Sequence, residues 1–202
     1  MVAAYDPSGL PLIEPAKAVI HQLVGSSSFD GWYRLRLPRY VPPGTYKLQI
    51  SAHDNVKNTD AEIGPTFIVQ AEVSAPASRI TIREFHLALT ERGPASSPVV
   101  LQSSGTVYMS GNLAGMLFRE NQISVKMAFE LIGPKGEKLL ERPDFLNLED
   151  TFTYHPAGIF LPISGNVSLP SGAPKGVYTE KYKVTDRIAD ATENYELKFE
   201  VR

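Results

Sequence analysis

Apolar and polar residues alternate along much of the chain, a period of two that predicts β-strands rather than helices. Residues 44–54 place apolar side chains on one face and polar ones on the other, with Tyr46, Leu48, Ile50 and Ala52 on the apolar face. Residues 125–131 alternate in the same way. Between Ile82 and Phe85 the phase of the alternation reverses. This reversal predicts a β-bulge, or a strand that passes from one sheet to another.

The strand at residues 44–54 has a second copy near the C-terminus. Pro42-x-Gly44-x-Tyr46 recurs as Pro174-x-Gly176-x-Tyr178, a shift of 132 residues (176 − 44). The same shift, without a gap, also places matching residues on each other: Asp54 on Asp186, Phe67 on Phe199 and Val69 on Val201. The repeat predicts two related β modules in tandem, at residues 1–72 and 78–202, joined by a short linker rich in Ala and Pro.

The two predicted modules differ in length. Val2 aligns with Phe129, so the first module has no counterpart of residues 80–124. A β-sandwich that lacks strands exposes apolar surface and unpaired sheet edges. We therefore expect a first module that is partial, either because the chain is cut from a longer protein or because another chain completes it.

Two segments fit the repeat poorly. Glu180 interrupts the apolar row of Tyr178, Tyr182 and Val184, and we expect it at a sheet edge or beside Lys or Arg. Residues 144–153 have no clear period and are expected to hold a helical turn.

The repeated segment resembles the corner between strands E and F in immunoglobulin-like and fibronectin type III-like modules of bacterial envelope proteins. The resemblance rests on Leu-Pro followed by Pro-x-Gly-x-Tyr, and its tyrosine is similar to the tyrosine corner of such domains. It covers about 30 residues of each module. The resemblance implies an all-β fold of two tandem sandwiches. It also implies an extracellular, cell-surface or periplasmic location, and it supplies no catalytic residue.

Composition excludes several classes of function. The 202 residues are 21% charged with a formal net charge of −2, which provides no field that favours nucleic acid or an anionic membrane surface. No apolar run is long enough for direct membrane insertion. The absence of cysteine excludes disulfides, thiolate metal sites and cysteine nucleophiles.

The sequence also predicts no enzyme and no cofactor. It contains no nucleophile elbow, phosphate loop or dinucleotide fingerprint. The four histidines lie in separate segments without metal-binding spacing.

Two groups of residues carry candidate chemistry. Asp54, Asn58 and Asp60 offer oxygen ligands that could bind calcium. Alternatively, these side chains accept hydrogen bonds from local backbone amides in a turn. Trp32, Tyr33 and Tyr40 could form an aromatic platform for sugar stacking, or they could pack in a core. Both alternatives remain open at this stage.

These patterns favour a non-catalytic structural or protein-interaction module of a larger cell-envelope or secreted protein. Its partners would be another protein or neighbouring domains of the same chain. The contact mode that best suits such a module is addition of a strand to an exposed sheet edge. A carbohydrate-binding module and an accessory domain of a large hydrolase are the alternatives.

Overall fold

The computed structural model describes residues 1–17, 34–37, 41–70, 75–91, 93–102 and 104–202. The described residues form strands and turns without a helix, which confirms the predicted all-β class. The strands are β1 (Val2–Tyr5), β2 (Gly44–Asp54), β3 (Thr59–Ile63), β4 (Thr66–Val69), β5 (Thr81–Ala88), β6 (Val99–Leu101), β7 (Gly105–Ala114), β8 (Gln122–Ile132), β9 (Lys138–Thr151), β10 (Phe160–Leu169), β11 (Gly176–Asp186) and β12 (Ala191–Val201).

The chain divides into two compact units. Unit 1 comprises Met1–Ser74 and Thr153–Ala157, and unit 2 comprises Ala75–Phe152 and Gly158–Arg202. Unit 1 therefore includes a short segment from the connection between β9 and β10. That residues 1–72 and 78–202 fold as separate modules stays a prediction.

Unit 1 contains one small sheet. Its strand order is β1-β2-β3, and β4 pairs with β2 beyond the end of β3. The buried side chains of its core are Ala4, Leu12, Val41, Tyr46 and Tyr154. Tyr154 belongs to the segment Thr153–Ala157, and its hydroxyl donates a hydrogen bond to Asp6 Oδ2 at 3.1 Å. This bond ties the late segment of the chain to the turn that follows β1.

Asp6 is buried, and the turn that it organises explains why a carboxylate is tolerated there. Its Oδ1 accepts hydrogen bonds from the backbone amides of Ser8 and Leu10, at 2.8 and 2.9 Å. Burial raises the pKa of Asp6, but the hydrogen bonds from Ser8, Leu10 and Tyr154 outweigh it and hold this pKa below its ordinary value.

Unit 2 is a sandwich-like arrangement of two sheets. One sheet has the order β10-β7-β5 and the other has the order β6-β12-β11-β8-β9. Buried and half-buried residues alternate along most of β7 and β8, as expected for strands with one face in a core. The inner faces meet where the Phe85 ring packs against Tyr182 and Tyr195, at centroid distances of 5.0 and 5.4 Å.

The repeat seen in the sequence is a repeat of strand register. In unit 1, β2 pairs Gly44 with Val69 and Tyr46 with Phe67. In unit 2, β11 pairs Gly176 with Val201 and Tyr178 with Phe199. The two pairs of unit 2 are the two pairs of unit 1 shifted by 132 residues. The preceding strands agree as well, because Val2 pairs with Ile50 just as Phe129 pairs with Tyr182.

The Gly-x-Tyr motif has the same physical cause in both copies. Gly44 and Gly176 have φ angles of 156° and 135°. A Cβ atom at either position would lie 2.6 Å from a carbon of Pro7 or Pro134, respectively. Only glycine therefore lets the strand begin so close to the neighbouring turn.

The tyrosine two residues later forms the predicted corner in both copies. The hydroxyl of Tyr46 donates a hydrogen bond to the Pro42 carbonyl at 2.6 Å, and that of Tyr178 donates to the Pro174 carbonyl at 2.8 Å. Both tyrosines are fully buried. Burial is the main cause that raises the pKa of each hydroxyl, so each remains a neutral donor at ordinary pH.

The predicted bulge in the strand after the linker is confirmed. The pairing of β5 with β7 shifts register between Arg83 and His86, and Glu84 has a positive φ of 51°. The helical turn expected at residues 144–153 is wrong, because β9 continues to Thr151. β9 is an edge strand whose pairing with β8 shifts register after Met127 and again after Leu131, which removes the regular period from its sequence.

The expectation for Glu180 is also wrong. Glu180 lies on β11, between β12 and β8, and only 1% of it is exposed. Its partner is the hydroxyl of Tyr182, which donates a short hydrogen bond to Glu180 Oε2. Burial raises the pKa of Glu180 to about 7, so the carboxyl is neutral below that pH, and its partner is a tyrosine hydroxyl rather than the expected Lys or Arg.

Candidate functional site: the sheet edge at β4

The predicted calcium residues lie in the turn between β2 and β3. Asp54 Oδ1 accepts hydrogen bonds from the backbone amides of Val56 and Lys57, at 2.8 and 3.1 Å. These two bonds hold the pKa of Asp54 below its ordinary value, with Lys57 contributing most. Asn58 has a left-handed φ of 52°, as expected for the asparagine of a tight turn. The turn chemistry weighed against calcium is therefore present.

Asp60, the third calcium candidate, contacts a histidine side chain. Asp60 Oδ1 lies 2.8 Å from Nδ1 of His53 on the neighbouring strand. Within the described residues, no group of three or more His, Asp or Glu side chains is arranged to hold a metal ion. Calcium binding by Asp54, Asn58 and Asp60 stays a prediction.

The aromatic platform of Trp32, Tyr33 and Tyr40 lies outside the described residues. It too stays a prediction.

The clearest difference between the copies is the outer edge of the last strand. In unit 2, β6 pairs in parallel with the end of β12, with Val99, Val100 and Leu101 opposite Phe199, Glu200 and Val201. The ladder continues beyond the strand, because the amide of Arg202 donates to the Leu101 carbonyl at 3.0 Å. β6 thus covers an edge that β12 would otherwise expose.

In unit 1 the same edge belongs to β4. β4 is the 132-residue counterpart of the end of β12, and one side of it pairs with β2. Among the described residues, no strand pairs with its other side. The sheet edge at β4, defined as residues 66–70, is our candidate functional site.

The direction of the backbone groups follows from the alternation of a strand. The Pro65 carbonyl points to β2, since it accepts a hydrogen bond from the Leu48 amide at 2.9 Å. N–H and C=O groups alternate from side to side along a strand, so those of Ile68 and Gln70 point to the outer edge. Ile68 and Gln70 are the counterparts of Glu200 and Arg202, whose amides face β6.

The side chains at this edge are apolar and exposed. Ile68 is 70% exposed and Ile63, at the end of β3, is 62% exposed. In unit 2 the counterpart of Ile63 is Tyr195, which is half-buried. There the Tyr195 hydroxyl accepts a hydrogen bond from the Ile82 amide at 2.7 Å.

The edge also lacks the usual protection. Natural edge strands are commonly blunted by charged residues, proline or a bulge. β3 carries Asp60 and Glu62 and ends at Gly64-Pro65, whereas Thr66–Val69 contains no charge and no proline. β4 is thus a short, uncharged strand whose outward donors and acceptors have no strand partner in the described part of the chain.

Sequence reasoning anticipated unpaired edges in the first module but did not locate them. The signal that could have located this edge is the repeat itself. β4 is the counterpart of the end of β12, whose outer edge β6 covers, and among the described residues no strand takes the place of β6 beside β4. The sequence does not reveal that β6 pairs in parallel with β12, and this pairing is what distinguishes the edge of unit 2 from that of unit 1.

The described part of the chain contains no helix that is long and apolar enough to cross a membrane. No family model matches the sequence, and a search of curated proteins finds no match.

Solved structures resemble the chain only distantly. The C-terminal domain of Wzt is 8% identical with a TM-score of 0.38, over 64% of this chain and 77% of that one. Dimeric latent PorU from Porphyromonas gingivalis is 12% identical with a TM-score of 0.31, over 79% of this chain. β-Glucuronidase 2 from Bacteroides uniformis is 12% identical with a TM-score of 0.35, over 88% of this chain.

The chain spans 12% of the length of PorU and 31% of that of the β-glucuronidase. At these TM-scores the similarities carry no argument about function. Any functional conclusion therefore rests on the geometry of the chain itself.

Proposed function

We propose that this chain is a non-catalytic protein-interaction module of a larger cell-envelope or secreted protein. Its binding site is the sheet edge at β4. The occupant is an extended polypeptide segment that adds to β4 as a parallel strand. The observation that carries the proposal is the pairing of β6 with β12 at the equivalent position of unit 2.

The second copy defines what the occupant must provide. In β6, Val99 and Leu101 are buried and Val100 between them is half-buried. A segment with β-branched or aliphatic residues at alternate positions would fit the same place beside Phe67 and Val69. Main-chain hydrogen bonds would supply affinity, and the alternate side chains would supply specificity.

Several features favour addition to this edge over simple exposure to solvent. The edge presents the outward amides of Ile68 and Gln70 beside an exposed isoleucine side chain. An incoming strand would satisfy these amides and bury the apolar surface in one step. The location that we propose for such a module is extracellular, cell-surface or periplasmic.

The test uses a synthetic peptide of residues 96–102, which contains β6, added to the full chain. Amide hydrogen exchange by NMR reports on Ile68 and Gln70. We expect added peptide to slow exchange at both amides and at no amide of β11. An unchanged exchange rate at Ile68 and Gln70 in saturating peptide would overturn the proposed site.

Two variants at one position separate edge pairing from general hydrophobic contact. Ile68→Pro removes the outward N–H but leaves the hydrogen bonds to β2 intact, since those come from Phe67 and Val69. Ile68→Thr keeps the N–H and reduces only the apolar surface. We expect the first variant to lose peptide binding and the second to retain it. Equal binding by Ile68→Pro and the unmodified chain would contradict strand addition.

A further inference from the structure

The two sheets of unit 2 expose outer faces of different chemistry. On β7, the outward side chains are half-buried and uncharged: Thr106, Tyr108, Ser110 and Asn112. On β10, the outward side chains are exposed and likewise uncharged: Pro162, Ser164, Asn166 and Ser168. The two strands pair along their full length, so these side chains form one continuous surface. We call these eight residues the neutral face.

The outer face of the other sheet has ordinary surface chemistry. Lys181 lies 3.3 Å from Glu196, and Lys126 lies 2.6 Å from Asp144. Mixed charges of this kind keep an exposed sheet soluble and discourage association. β7 and β10 carry none of these charges, and on this sheet the charged residues Arg83 and Glu84 lie on β5, beside Asn112 at the border of the neutral face.

The polar groups of the neutral face are held in place by the third strand of the sheet. The Glu84 carbonyl lies 2.6 Å from His86 Nδ1, which must therefore carry the proton and donate. His86 Nε2, at 3.1 Å from Ser110 Oγ, then accepts from that hydroxyl. The Ser110 oxygen keeps its lone pairs for a ligand. In the same way, Glu84 Oε2 accepts a hydrogen bond from Asn112 Nδ2 at 3.0 Å.

The centre of the face combines an aromatic ring with an amide. Tyr108 on β7 is directly opposite Asn166 on β10. An aromatic ring offers an apolar surface with a polar tip, and an amide offers both donors and acceptors. Serine and threonine hydroxyls, which also donate and accept, lie on both sides of this pair.

We propose that the neutral face binds a neutral oligosaccharide, with the sugar ring stacked on Tyr108 and its hydroxyls bonded to Asn166 and Ser110. A sugar matches this surface because it carries donors and acceptors without charge and presents C–H groups that stack on a ring. The row from Thr106 to Asn112 extends about 20 Å, which accommodates several sugar units. This site is separate from the sheet edge at β4 and does not depend on it.

The test is calorimetric titration of the full chain with neutral glucan, mannan and galactan oligosaccharides, alongside an anionic polyuronate. We expect binding of at least one neutral oligosaccharide and none of the polyuronate. Tyr108→Ala should weaken that binding about tenfold or more, whereas Tyr108→Phe, which keeps the ring, should weaken it less. Lys181→Ala, on the charged outer face, serves as the matched control and should leave affinity unchanged.

Three results would overturn the proposal. The first is that no neutral oligosaccharide binds at millimolar concentration. The second is that Tyr108→Ala, shown to be folded by its unchanged thermal transition, binds as well as the unmodified chain. The third is that Trp32→Ala abolishes binding while Tyr108→Ala does not, which would move sugar recognition to the aromatic platform.

Discussion

The hairpin of residues 44–69 and its copy at residues 176–201 have the same strand register but different surroundings. Both begin at a glycine against a proline, form a tyrosine corner and stack that tyrosine on the phenylalanine opposite it on a paired strand. Beyond the corner they diverge. The inward row of β11 is buried from Tyr178 to Asp186, whereas the matching row of β2 becomes half-buried at Leu48 and exposed at Ala52.

This difference separates what the local sequence determines from what the neighbouring strands determine. The repeated residues set the register, the corner and the turn. Burial of the same row depends on the sheet β10-β7-β5 and on β6, which belong to unit 2. A repeat in sequence thus does not imply equal stability or equal exposure.

The phenylalanine of the stacked pair provides the largest expected contrast. Phe199 is 2% exposed and has β6 beside it, whereas Phe67 is only partly buried. We expect Phe199→Ala to lower the free energy of unfolding by about 3 to 5 kcal/mol. Phe67→Ala should lower it by about 1 to 2 kcal/mol, because less surface is removed from contact. Amide exchange in β11 and in β2, respectively, measures each effect, and equal losses would contradict the comparison.

The aspartate that ends each strand provides the second contrast. Asp186 is fully buried and accepts from the amides of Leu117, Ile188 and Ala189, at 2.7, 2.9 and 3.0 Å. Asp186→Ala leaves these donors without their acceptor and should cost about 3 kcal/mol. Asp54 is exposed, so Asp54→Ala should change stability little. Urea denaturation of both variants measures the free energy of unfolding. An equal loss of stability in Asp54→Ala and Asp186→Ala would show that burial of the aspartate does not determine the effect.

Glu180 provides the third contrast, because its counterpart in unit 1 is the apolar Leu48. The pKa of Glu180 is about 7 in the folded chain and 4.5 in the unfolded chain, so the folded state binds more protons between these values. Stability should therefore fall as pH rises from 4.5 to 7 and level off above. The loss is on the order of 3 kcal/mol.

Replacing this carboxyl tests the sign directly. Glu180→Gln should abolish that decline and be more stable than the unmodified chain at pH 8. Glu196→Gln, at an exposed position of the neighbouring strand, is the control and should keep the decline. Thermal unfolding between pH 4 and pH 8 gives the result. A decline of the same size in Glu180→Gln would show that another group causes it.

Much of the fold could be predicted from the sequence, because the relevant signals are local. The period of two identified β2, β8 and β11, and the phase reversal located the bulge at Glu84. The Gly-x-Tyr motif predicted both corners. These features depend on residues close together in the chain, and single-sequence patterns report such features well.

What could not be predicted depends on contacts between distant residues. Glu180 was expected at an edge because nothing in its own strand reveals that Tyr182 donates to it within a core. Tyr154 enters the core of unit 1 from residues that follow β9, far along the chain. The neutral face forms only when β7 and β10, separated by more than forty residues, pair with each other.

The two copies share a register, but among the described residues only the second has a strand beside its outer edge. The direct measurement is hydrogen exchange at the amides of Ile68 and Glu200, which occupy the same position of the repeat. We expect fast exchange at Ile68 and strong protection at Glu200, where β6 pairs with the strand. Equal protection at the two amides would mean that the edge at β4 is already covered and is not available to a binding partner.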